Sequence, residues 1–280
     1  MKKIIFALFA LVLCVSAFAQ DKKNTFYLGF ESGYYSYREP HMEYPISIKS
    51  TKMGASFEWV GRSILSGDLT PEDPSFATLE LRYVTGDAKY DGWLMNNITE
   101  EVTPVTSDGE EDHYFEGRLT LGRTYDLSDT WTLWSYFGLG YRRLYNNTYT
   151  EGGYRRISKY TYVPLGARLT ANMGSGWMFT LTGEFDWFLV GEQKSGVLEG
   201  HYVINQQKQG YGLRGGIKLE KTLAKSFGFF VEPYYRMWKI QNSEETDVLV
   251  YIPGMGYGYM TFIEPFNVTK EAGVRVGITF

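Results

Sequence analysis

The chain has 280 residues, 17% of them aromatic, with 31 Gly, 9 Pro, one Cys and a formal net charge of −4. That composition is too apolar and aromatic for disorder, and one Cys cannot build a disulfide framework. Helical membrane spans need roughly 18 or more apolar residues in a row, which only the extreme N-terminus approaches, and no basic block offers a footprint for nucleic acid.

Lys2 and Lys3 precede an apolar run from Ile4 to Val15, and Ala17-Phe18-Ala19 supplies small residues before Gln20. This is the layout of a secretory signal peptide over 1–19, so the chain is expected to be exported, with 20–280 as a single domain. About a dozen apolar residues are too few to span some 30 Å of hydrocarbon as an anchor. Cys14 leaves with the signal; Leu13, where a lipoprotein site wants a small residue, argues against lipidation.

After Gln20, apolar or aromatic residues alternate with polar or small ones, the period-2 signature of strands. Strands are predicted near 24–38, 50–63, 74–90, 112–126, 130–146, 154–173, 176–194, 208–222, 225–241 and 268–280. Their length suits the ~9–11 residues with which a tilted strand crosses a bilayer. Asp126-Leu127-Ser128-Asp129, Met173-Gly174-Ser175-Gly176 and Thr222-Leu223-Ala224-Lys225 read as tight turns, while 39–49, 91–111, 195–207 and 242–267 read as long polar or Gly-rich loops. Short turns at one end and long loops at the other predict an all-β, antiparallel, up-and-down transmembrane barrel of about ten strands. The 64–73 connection, with Pro71 and the following Pro74, is longer than that pattern wants.

A soluble sandwich would also alternate, but the polar parity here is dense in charge. Glu31, Glu58, Arg62, Glu80, Arg82, Glu116, Arg118, Arg142, Arg168, Glu184, Asp186, Arg214, Lys218, Glu232, Arg236, Glu271 and Arg275 all take the inward parity. Trp131, Trp177, Trp187, Tyr125 and the Tyr34-Tyr35-Ser36-Tyr37 cluster gather near strand ends, where amphipathic rings suit a lipid–water boundary. Pro164 and Pro233 fall inside strands, where local bulges are expected, and closure requires the first strand to pair with the last.

The final run, Glu271 to Phe280, alternates cleanly and ends in an aromatic residue. Together with the signal peptide and the strand rhythm, it resembles the bacterial outer-membrane β-barrel proteins. That resemblance implies residence in the cell outer membrane, contact with outer-membrane lipid and lipopolysaccharide, and recognition of the strand ending in Phe280 by the barrel-assembly machinery.

Cross-strand arithmetic makes the interior specific. One antiparallel register that sets Glu80 opposite Arg118 also sets Arg82 opposite Glu116, and another sets Glu232 opposite Arg275 and Arg236 opposite Glu271. These four pairs are predicted to be lumen ion pairs, with a slipped register and diagonal networks as the alternative. A lumen filled in this way is expected to be occluded rather than a general pore.

Sites for chemistry are sparse. The three histidines, His41, His113 and His201, all fall in or beside the presumed outer loops, and no cluster has the spacing of metal ligands, so neither metal nor cofactor is expected. Asn97-Ile98-Thr99, Asn146-Asn147-Thr148 and Asn267-Val268-Thr269 match a glycosylation triplet of little use in a bacterial envelope. Gly254-Met255-Gly256-Tyr257-Gly258 lacks dinucleotide-binding spacing and reads as a flexible aromatic loop.

Asp91-Gly92-Trp93 after the third strand and Glu199-Gly200-His201 after the seventh resemble the omptins, barrel endopeptidases in which an Asp pair and an Asp–His pair activate water. By that resemblance Glu199 would orient His201 while Asp91 helps hold the attacking water. Glu replaces Asp beside the His, and no second Asp lies two residues from Asp91. The leading expectation is a structural or surface-recognition barrel acting through its external loops on an unidentified surface ligand, with an omptin-like protease as the alternative.

Overall fold

The computed structural model describes residues 24–63, 74–95, 101–148, 153–198, 201–224, 227–252 and 256–280. The signal peptide over 1–19 and the 64–73 connection lie outside them. Among the described residues thirteen strands run in chain order: β1 Asn24–Glu39, β2 Ile46–Arg62, β3 Ser75–Met95, β4 Val102–Asp126, β5 Trp131–Asn147, β6 Arg155–Gly174, β7 Trp177–Leu198, β8 His201–Gln207, β9 Gly210–Ala224, β10 Phe227–Ile240, β11 Thr246–Ile252, β12 Gly256–Phe262 and β13 Asn267–Thr279.

Ten of these, β1 to β7 with β9, β10 and β13, close into an antiparallel barrel. β1 pairs with β13, and Phe26 and Phe280 exchange both backbone hydrogen bonds at 2.8 and 3.0 Å while their rings stack. The terminal aromatic residue is thus part of the seam. β8 pairs with the upper part of β7 and β9 with its lower part, so one descending strand is interrupted at 208–209. β11 and β12 form a separate two-stranded ribbon within the last external connection.

Alternation sets the two faces. On β5, Tyr136, Arg142 and Leu144 point inward and are buried, whereas Phe137, Leu139 and Tyr141 are exposed on the wall. Exposed apolar rings are stable there because the surrounding solvent is hydrocarbon, and the closed ladder leaves no edge unpaired in it. The tight turn at 174–176 shows the local chemistry: Ser175 and Gly176 take φ of 50° and 76°, the left-handed pair that a two-residue hairpin requires.

The structure corrects several expectations. The segments 91–111 and 195–207 are largely strand: β3 and β4 run up to Met95 and down from Val102, and β7 and β8 approach one another at Leu198 and His201. The ladder therefore continues well above the apolar band. Gly256 to Gly258 lie in β12 rather than in a loop. Tyr34 is exposed on the wall, but Tyr35 and Tyr37 turn into the lumen, so the Tyr cluster is divided between the two faces. Arg62 keeps its inward parity, opposite the buried Phe76 and with its guanidinium 5.3 Å from the Trp134 ring, but at the end of β2 it is exposed. A register shift does occur between Thr161 and Tyr162, two residues from Pro164. At Pro233 the pairing with β9 lapses without a shift, because residues on both sides keep one register.

Candidate functional site

The lumen is built from inward side chains of both signs. The register sets Glu80 opposite Arg118 and Arg82 opposite Glu116, with Arg118 Nη1 3.1 Å from Glu80 Oε2 and Arg82 Nη1 2.8 Å from Glu116 Oε2. Across the other hairpin Arg275 Nε donates to Glu232 Oε2 at 3.0 Å, and Arg236 Nη1 lies 3.1 Å from Glu271 Oε1.

Further bonds cross the barrel between strands that are not neighbours. Arg82 Nε lies 3.0 Å from Glu31, whose other oxygen is 3.3 Å from Arg236. Arg214 reaches Glu116 across the barrel as well as Asp186 and Glu184 on the neighbouring β7, and Arg118 also bonds Glu184, which closes a ring back to Glu80. Arg168 Nη1 lies 2.8 Å from Glu58. Tyrosines complete the network: Tyr162 donates to Glu116 at 2.7 Å, Tyr136 to Glu184 at 2.8 Å and Tyr114 to Glu271 at 2.8 Å. Two glycines make room for these rings. A Cβ on Gly140 would collide with the Tyr162 ring, and one on Gly166 with the Tyr136 ring.

A small cavity of about 50 Å³ remains among Glu58, Glu80, Arg118, Arg168, Glu184 and Arg275, room for little more than a few waters. Higher up, Lys52 Nζ lies 2.6 Å from Asp112, and Arg142 sits 4.1 Å over the Tyr114 ring.

At the external mouth a second cluster joins the last loop to the barrel. Arg156 Nη2 lies 2.6 Å from Glu39 and 2.9 Å from Glu264, and Tyr37 donates to both carboxylates at 2.7 and 3.0 Å. Burial, together with the nearby Glu39 charge, pushes the Glu264 carboxyl up to about 7 against the pull of Arg156. Ser243 and Glu264 fasten the base of the loop: the Ser243 N–H donates to the Glu264 carbonyl at 2.9 Å, and the Glu264 N–H to Ser243 Oγ at 2.8 Å. Asn205 on β8 adds a donor to the Phe262 carbonyl at 2.9 Å.

Above this base the ribbon presents an aromatic face. Leu249 is opposite Tyr259 and Tyr251 opposite Tyr257, all on one side. Tyr257 and Tyr259 are 77% and 75% exposed, so nothing among the described residues covers them.

Of the three residues of the omptin-like alternative, only Asp91 has its side chain among the described residues. Asp91 stands on the outer wall, where it accepts from Thr106 at 3.2 Å and lies 3.7 Å from Lys49 and 3.9 Å from Lys89. Glu199 and the side chain of His201 lie outside the described residues. The two other histidines make ring stacks, His41 on Phe266 at 4.5 Å and His113 on Tyr145 at 4.6 Å between centroids. Among the described residues no cluster of His, Cys, Asp and Glu has the arrangement of a metal site.

Adjacent-strand registers expose pairs such as Glu80 with Arg118, but the bonds of Glu31 to Arg82 and Arg236, of Arg214 to Glu116 and of Glu184 to Arg118 depend on how the barrel curves. The mouth cluster was missed for a different reason. Arg156 carries inward parity beside the exposed Arg155, a signal that was present, but Glu264 comes from a stretch with no period.

A family model described as Outer membrane protein OpcA matches residues 92–280. No curated protein sequence matches the chain. Among solved structures, the outer membrane protease OmpT from Escherichia coli is similar with a TM-score of 0.58 at 10% identity, covering 93% of this chain and 97% of that one. A major outer membrane protein from Thermus thermophilus covers 92% of this chain and 98% of its own at 12% identity, with a TM-score of 0.39. The likeness to OmpT is one of fold, since 10% identity carries no catalytic residue across.

Proposed function

We propose that this chain, which belongs to the OpcA outer membrane protein family and resides in the cell outer membrane, has an occluded, charge-paired lumen and acts in surface recognition through its external loops. The observation that carries this reading is the contrast between a lumen crossed by linked ion pairs and a ribbon whose tyrosines face outward uncovered. A pore needs a continuous polar path, whereas the cavity inside the ion-pair network holds about 50 Å³. Recognition needs exposed groups with low conformational entropy, and tyrosine supplies rigid contact area with a polar tip.

The test replaces 246–262 with a short Gly/Ser linker. The barrel should still form, seen as the heat-dependent shift in gel mobility, while adhesion of cells carrying it to a panel of surfaces falls to background. Undiminished adhesion would place recognition elsewhere. The omptin-like alternative is separated by peptide cleavage: activity in the parent that is lost in His201→Ala would favour it.

A further inference from the structure

The outer wall becomes charged at one level, just above the apolar band on the side of the long loops. Outward positions on β5 run Leu133, Ser135, Phe137, Leu139 and Tyr141 before reaching Arg143. The register places Arg143 directly opposite Lys159 on β6, and Lys159 opposite Glu192 on β7. One rung higher, Tyr145, Ile157 and Lys194 align across the same three strands, and Arg155 stands one rung above them.

Like charges directly opposite on neighbouring strands repel, so a pair of this kind calls for a counter-charge. Lys159 has one in Glu192 at 2.6 Å, but Arg143 is exposed and makes no ion pair with any described carboxylate. Lys194 lies 4.3 Å over the Tyr202 ring, and Arg155 donates to the Tyr202 hydroxyl at 3.3 Å. The comparison with β2 and β3, on the other side of β4, is informative. There Lys49 opposes Lys89, yet Asp91 lies within 3.9 Å of both. The β5–β7 patch has no equivalent for Arg143 among the described residues.

We propose that Arg143, Lys159 and Lys194 form a binding site for the phosphorylated headgroup of an outer-leaflet lipid. The phosphate takes the place that Asp91 fills beside Lys49 and Lys89. The acyl chains lie below it against Phe137, Leu139 and Leu165, which are exposed on the same strands. Arg143 provides a planar pair of donors suited to two phosphate oxygens, and Lys194, two strands away and one rung higher, a second, compact charge. The assignment rests on membership in the outer membrane and is independent of what the loops recognise.

The test uses the full mature chain refolded in a non-ionic detergent, titrated with purified lipopolysaccharide, with bound lipid read by native mass spectrometry. Each cation near an anionic lipid surface contributes roughly fivefold in affinity, so Arg143→Gln with Lys159→Gln should weaken binding roughly 25-fold. Arg143→Lys should retain most of it, and Lys239→Gln with Lys270→Gln, on other strands of the wall, should change it about twofold at most. Gel-mobility shift verifies the barrel in each variant, and all four substituted side chains face outward, away from the lumen. Inorganic phosphate at matched phosphate concentration should not displace the lipid. Equal binding by parent and double variant, equal loss in the Lys239 and Lys270 variant, or displacement by inorganic phosphate would each overturn the proposal.

Discussion

The lumen and the external ribbon are written in the same period-2 code and end in opposite states. In the lumen, inward Glu and Arg side chains meet partners from the next strand and from across the barrel, and Glu31 and Asp186 are fully buried. In the ribbon, alternate positions carry Leu249, Tyr251, Tyr257 and Tyr259, which pair with one another and stay largely exposed. The code decides only which residues share a face; closure of the sheet decides whether that face is satisfied internally. Stability therefore concentrates in the barrel, and the freedom to engage something else in the ribbon.

The largest effect should come from breaking the lumen network at its most connected cation. Arg214→Met leaves Asp186 without its cation and takes one of two cations from each of Glu116 and Glu184, and removing one partner from buried ion pairs costs about 3–5 kcal/mol. A lowered urea midpoint for unfolding from lipid vesicles measures it, and Arg214→Lys should recover part of the loss. A smaller cost is expected where the lumen is crowded. Gly140→Ala drives a Cβ into the Tyr162 ring, which donates to Glu116, and overpacking of this kind costs about 1–3 kcal/mol in the same assay.

Smaller again is the latch between the two regions. Since the folded carboxyl of Glu264 sits at about 7 rather than the ordinary 4.5, the folded state holds a proton that the unfolded state has already lost between those values. Its contribution to stability thus declines as pH rises through that window and is most favourable below it. Docking of the 242–267 loop should loosen from pH 5 to pH 8, read as faster amide exchange in the ribbon. Glu264→Gln should flatten that dependence. Least of all, Tyr257→Ser with Tyr259→Ser should leave barrel stability within about 0.5 kcal/mol while abolishing the adhesion attributed to the loops.

How much of this could be read from the residues follows from the same contrast. Strands inside the apolar band were legible because lipid on one side and a polar lumen on the other make alternate residues differ sharply, as in Phe137 beside Tyr136. Above the band both faces are wet, the contrast disappears, and 102–111 reads as a loop although it is the upper part of β4. The ion-pair registers were legible because Glu80 with Arg82 and Arg118 with Glu116 are spaced alike on two adjacent strands. Arg214 with Glu116 was not, since no local pattern states which strands face one another across a closed ring. In the ribbon, the alternation of Gly256 and Gly258 with Tyr257 and Tyr259 was itself a strand signal, masked by glycines that weigh toward a loop.

The most direct test of the central claim is single-channel recording of the refolded mature chain in planar bilayers. The account predicts a quiet baseline at moderate voltage, with Arg214→Met admitting flickering current as the network loosens. Large, steady conductance steps in the parent would show an open path through the lumen and contradict it.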